Sequence, residues 1–150
     1  MSADEFRAKL VPELIVSNLA NSVTFWCRLL GFRMLYERPG EGFVYLDLDG
    51  AQVMLEQRDD AQRQWITAMI DSPFGRGVNF QIETANVDVP LEKLTNSGWP
   101  LYMDAEEKWY RTGAYDVGVR QFLVQDPDGY LIRMSSSIGQ RPALNTRTDI

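Results

Sequence analysis

The sequence predicts an α+β protein of two βαβββ modules whose mixed sheet curves around a groove. Three observations carry this. Each half opens with an alternating strand and an amphipathic helix that closes on glycine and an aromatic, Gly31-Phe32 and Gly98-Trp99. Each half ends with a strand introduced by Asp-Gly, at Asp49-Gly50 and Asp128-Gly129. The 150-residue length suits one domain with a continuous core.

The elements follow in order. Residues 1–9 are polar and read as an arm, and residues 10–137 as the domain. Module one spans 10–58, a connector 59–77, module two 78–137, and a tail 138–150. Residues 10–16 alternate as a strand, with Leu14 and Val16 against Glu13 and Ile15. Asn18 is placed to cap a helix in which Val23, Trp26, Cys27 and Leu30 form the apolar stripe. Trp26 and Trp65 are expected in the core, and Cys27 as a small core residue. Strands are expected at 32–37, 43–47 and 52–57, with turns at Pro39-Gly40 and Asp49-Gly50. Residues 59–71 read as a connector with a short helix, and 72–77 as a loop.

Module two repeats the plan. Residues 78–84 alternate, with Phe80 and Ile82 on one face and Asn79, Gln81 and Glu83 on the other. Asp88 and Pro90 open a helix that Gly98 closes. Residues 99–103 read as a short strand and 104–118 as a charged, aromatic loop. Strands at 119–125 and 130–135 flank the turn Asp126-Pro127-Asp128-Gly129.

Composition narrows the chemistry. The apolar fraction of 45% and charged fraction of 24% are ordinary for a soluble domain. No apolar run is long enough for a bilayer and the charged start does not suit a signal peptide, so a cytoplasmic protein without membrane contact is expected. Histidine is absent and Cys27 is the single cysteine, which excludes Ser-His-Asp and Cys-His mechanisms and an internal disulfide. The net charge of −6 disfavours nucleic acid as a partner. The same charge would attract a cation, or simply keep the chain soluble.

Three stretches carry a family resemblance: LIVSNLANSVTFWCRLLGF, VNFQIETANVDVPLEKL and QFLVQDPDGYLIRM. They resemble the opening, the mid-chain restart and the closing hairpin of the glyoxalase/bleomycin-resistance/dioxygenase proteins, the vicinal oxygen chelate superfamily. Many members bind a divalent metal through one side chain on the first and one on the last strand of each module. The resemblance places those positions at Val11, Glu56, Asn79 and Arg133. Valine cannot ligate, and arginine is a permanently charged donor without a free lone pair. No metal and no cofactor are therefore expected. The pattern is most similar to the bleomycin-resistance branch, which implies a homodimer sequestering a small molecule, a bleomycin-type cationic antibiotic being the model ligand.

Candidate ligand contacts follow. Glu56 and Arg133 either touch a ligand or form an ion pair where the metal was lost. Asn79 and Gln81 offer donors and acceptors to a polar ligand, or bond to each other and to water. Glu13 attracts a cation or is solvated. Trp109, Tyr110 and Tyr115, with Tyr102 beside them, either stack on a planar or cationic ligand or form a flap over their own core. The alternatives to a binding protein are a glyoxalase-like or dioxygenase-like enzyme using Glu56 as base or ligand, and an interaction protein without a small ligand.

Overall fold

A computed structural model describes residues 7–144. Residues 1–6 of the expected arm and 145–150 of the expected tail lie outside the described residues. The order is β1 (Glu13–Val16), α1 (Leu19–Val23), a π-helical segment (Thr24–Leu29), β2 (Arg33–Arg38), a 3-10 turn (Pro39–Glu41), β3 (Phe43–Leu48) and β4 (Ala51–Gln57). Module two follows with β5 (Asn79–Glu83), α2 (Asp88–Asn96), β6 (Met103–Arg111), β7 (Tyr115–Gln125) and β8 (Leu131–Pro142). The strands form two four-stranded sheets in the orders β1-β4-β3-β2 and β5-β8-β7-β6. Each has one parallel pair, β1 with β4 and β5 with β8, and is otherwise antiparallel. Two mixed sheets of like order are the duplicated α+β plan that the repeat predicted.

Asn18 caps α1, its side chain accepting from the Asn21 N–H at 3.0 Å. The helix then widens. Leu30 N–H bonds to Phe25 O, and Phe32 N–H reaches Trp26 O. This wider spacing turns the adjacent Phe25 and Trp26 both inward, each 1% exposed. Counting at 3.6 residues per turn therefore missed Phe25 and over-rated Val23 and Cys27, which are only partly buried. Burial pushes the Cys27 thiol pKa up, consistent with a packing role. One core runs from Leu14, Val16, Val53 and Leu55 of the first sheet, through these aromatics, to Ile82, Phe122, Val124 and Ile132 of the second.

The β3–β4 turn has Asp49 at φ 50 and Gly50 at φ 96. Two successive left-handed residues are what a tight hairpin demands, and Asp-Gly meets that need.

Several expectations are corrected. Residues 59–71 form turns rather than a helix, and Trp65 and Met69 are 86% and 84% exposed. Asp59 and Gln64 explain this. Asp59 accepts from Ala61 N–H, and Gln64 bonds to Asp59 N–H and Gln57 O, drawing the backbone away from helix. Residues 104–118 form a hairpin of β6 and β7, with only 112–114 left as its turn. Both faces of β6 are largely solvated, so the apolar alternation that marks a strand is missing there. Residues 99–102 are not strand; the Trp99 indole instead donates to Gln125 O at 2.9 Å. β8 pairs with β7 through Pro142, so residues 138–142, expected as tail, are strand. Of the expected arm, Ala8 N–H donates to Gln52 at 2.7 Å and Arg7 to the Tyr36 hydroxyl at 3.3 Å.

The turn Asp126-Pro127-Asp128-Gly129 joins the modules. Asp128 accepts from Ser17 N–H at 3.0 Å and Ser17 Oγ at 2.5 Å. Asp126 accepts from the Trp26 indole at 3.2 Å, and the Tyr130 hydroxyl donates to Ile15 O at 2.9 Å. Three side chains of one turn thus hold β1 and the helix of module one.

Candidate functional site

The register places Glu13 beside Met54 and Ile15 beside Glu56 on the face of the first sheet turned away from the core. In the second sheet, Asn79 pairs with Leu131 and Gln81 with Arg133, again on the face opposite Phe80 and Ile132. Strand alternation thus supplies these polar and apolar groups to the faces that could meet a ligand.

The Glu13 and Glu56 carboxyls are near neighbours on this face of the sheet. The Glu13 carboxyl is held above the usual range. Partial burial is the largest cause, followed by the hydrogen bond and negative charge of Glu56, with Arg38 opposing. Glu13 and Ile15 form one wall of a cavity of about 440 Å³. The connector supplies the other wall, with Trp65, Ile66, Met69, Phe74 and Arg76, and Tyr130 lies beside them. Phe74 packs edge-on against Tyr130 at 5.9 Å and 83°, and its N–H donates to Asp128 O at 2.8 Å, which seats the connector on the inter-module turn.

Arg133 donates to Gln81 Oε1 at 2.5 Å. Its buried Nε has no hydrogen-bond partner among the described residues. The proposed pairing of Arg133 with Glu56 is not formed: each is bonded within its own sheet. Asn79 and Gln81 line a second cavity of about 410 Å³, together with Pro12, Trp26, Val53 and Phe80. The candidate residues therefore divide between two cavities, Glu13 at the first and Asn79 and Gln81 at the second.

The aromatic candidates scatter. Tyr110 lies on the open face, where its hydroxyl accepts from Gln121 at 2.7 Å and the Lys108 ammonium sits 5.8 Å from its ring. Trp109, one residue earlier, points to the opposite face and cannot line the same groove. There the Arg141 guanidinium stacks on it at 4.1 Å. Tyr102 and Tyr115 are exposed, and neither lines the two cavities above. A Cβ at Gly118 would lie 2.7 Å from Ile138 and 2.8 Å from Trp109. Gly118→Ala is therefore expected to cost about 1 kcal/mol in urea unfolding through overpacking. An unchanged midpoint would show that Trp109 is not held in this slot.

The model of the glyoxalase/bleomycin resistance protein/dioxygenase superfamily matches residues 10–134. The chain belongs to this superfamily. A superfamily member from Vibrio splendidus 12B01 is 36% identical over 84% of this chain and 95% of its own, with a TM-score of 0.40. TioX from Micromonospora sp. ML1 is 21% identical over 88% of this chain and 100% of its own, with a TM-score of 0.66. Lactoylglutathione lyase from Agrobacterium tumefaciens is 16% identical over 86% of this chain and 92% of its own, with a TM-score of 0.56. No curated protein matches the chain.

The divalent metal of many superfamily members does not suit these residues. Glu13, diagonal to Glu56 across the β1–β4 pair, adds one carboxylate to the expected set. Module two offers Asn79, Gln81 and a permanently charged Arg133. Among the described residues no group of three or more His, Cys, Asp or Glu is placed to hold a metal ion. A catalytic metal usually needs about three protein ligands.

Sequence reasoning missed the Phe74, Arg76 and Tyr130 wall. Arg76 sits in residues 72–77, read only as a loop, and Tyr130 looked like the first residue of a strand. Nothing local says that the connector folds back over β1.

Proposed function

We propose that this superfamily member is a metal-independent binding protein of the bleomycin-resistance type, acting in the cytoplasm as a homodimer. Its ligand is a small molecule with a cationic group and an apolar or aromatic body. The supporting observation is the Glu13 carboxyl, with Glu56 as its neighbour on the sheet, at the wall of a cavity of about 440 Å³ also lined by Ile15, Ile66 and Phe74. Apolar walls with a few placed polar groups are the usual build of a small-molecule site. Two neighbouring carboxyls attract a cation, because an incoming positive charge relieves their mutual repulsion. The exposed Trp65 and Met69 at the rim support a second copy closing over this side. Among the described residues no helix is long and apolar enough to cross a membrane.

Calorimetric titration with metal-free bleomycin in chelator tests the reading, repeated with a divalent metal. One ligand per subunit in both buffers, weakened at least tenfold by Glu13→Gln, is expected (about 1.4 kcal/mol). Absence of binding in both buffers would remove the assignment. Stoichiometric zinc, nickel or iron lost in Glu56→Ala would instead favour a metal-dependent enzyme.

A further inference from the structure

The connector wall of the 440 Å³ cavity carries a fixed cation. Arg76 donates from Nε to Pro73 O at 3.1 Å and from Nη2 to Ser72 O at 3.0 Å. These two bonds hold the guanidinium plane and leave its remaining N–H groups available. Its described contacts are carbonyl oxygens, with no ion pair to a carboxylate. The same cavity is lined by Glu13 of β1, and Asp71 of the connector adds a further carboxylate. Between the charges the walls are apolar: Ile15, Ile66, Ile70 and Phe74. The cavity thus offers an anionic end, a rigid cationic group and a greasy middle.

We infer that this cavity takes a zwitterion of dipeptide size, its ammonium on Glu13 and its carboxylate on Arg76. The inference deepens the small-molecule reading above and rests on it. A guanidinium recognises a planar carboxylate better than any neutral group, since its forked N–H donors match both oxygens. Hydrophobic side chains on the ligand would lie on Ile15, Ile66 and Phe74. A volume of about 440 Å³ lies within the range of small-molecule pockets and accommodates more than one amino acid.

The test is calorimetry of the full chain in chelator with the dipeptide phenylalanyl-leucine, its C-terminal amide and its N-acetyl form. The free dipeptide is expected to bind once per chain, and each blocked form at least tenfold more weakly. Arg76→Gln should erase the difference between acid and amide while leaving the difference between free and acetylated amine. Glu13→Gln should do the opposite. The comparison of the three ligands on the unaltered protein stands even if a variant fails to fold. Equal binding of acid and amide, or no binding of any of them, overturns the inference. Bleomycin binding without dipeptide binding would sink the zwitterion and leave the earlier reading standing. Dipeptide binding with both discriminations, and no bleomycin binding, would do the reverse.

Discussion

Asp126→Asn is expected to gain about 2.4 kcal/mol relative to the unaltered protein as the pH rises from 4 to 7. Burial is the main cause that pushes the Asp126 carboxyl from 3.8 up to about 6, over the opposing hydrogen bonds from the Trp26 indole and the Tyr130 and Asp128 N–H groups. The folded state therefore holds a proton that the unfolded chain releases near pH 4. Stability from this group is complete below pH 3.8 and falls as the pH climbs through about 6. Two pH units and a little more correspond to about 3 kcal/mol in all, of which about 2.4 kcal/mol falls between pH 4 and 7. Asparagine keeps the oxygen that accepts from Asp128 and Tyr130 N–H and does not titrate. Its amide is a poorer partner for Trp26, so the variant starts lower near pH 4. Urea unfolding of both proteins at several pH values measures the difference. Parallel profiles would mean that Asp126 is charged throughout, and that Trp26 and the backbone donors outweigh its burial.

Asp128→Ala is expected to lower stability by about 2 kcal/mol, or the melting temperature by about 4–8 °C. Asp128 is 5% exposed and carries both bonds from Ser17 across the module boundary. A hydrogen bond to a charged group contributes about 1.5–3 kcal/mol. Ser17 is exposed, so water recovers part of what its two donors lose. Ser17→Ala removes one of the two bonds and should cost about half as much. A double-mutant cycle then isolates the coupling, expected near 1 kcal/mol. If Asp128→Ala melts with the unaltered protein, the turn does not latch the modules, and the apolar core alone joins them.

The duplicated plan was legible because it depends on local chemistry. Asn18 at a helix start and Asp49-Gly50 at a hairpin work through their own backbone, so a linear reading finds them. Strand alternation likewise put Asn79 and Gln81 opposite Phe80 and Ile82. The hairpin at Met103–Arg111 and Tyr115–Gln125 was illegible, since cross-strand pairing holds it together with little apolar burial to mark it. Trp65 was misplaced for a related reason: an apolar side chain at helical spacing says nothing when side chains bend the backbone into turns.

The candidate site divides along the same line. By itself the sequence determined the residue types: no histidine, a carboxylate at Glu56, a guanidinium at Arg133, and hence a donor set unsuited to a metal. Only the tertiary structure decided which groups meet. It set Glu13 rather than Arg133 near Glu56, gave Arg133 to Gln81, and folded the connector over β1 so that Arg76 and Glu13 line one cavity. It also turned a good reverse turn, Asp126 to Gly129, into the latch between modules. The physical reason is range. Caps, turns and alternation act within a few residues, whereas register between strands and the docking of a connector depend on contacts more than a hundred residues apart, as between Ser17 and Asp128.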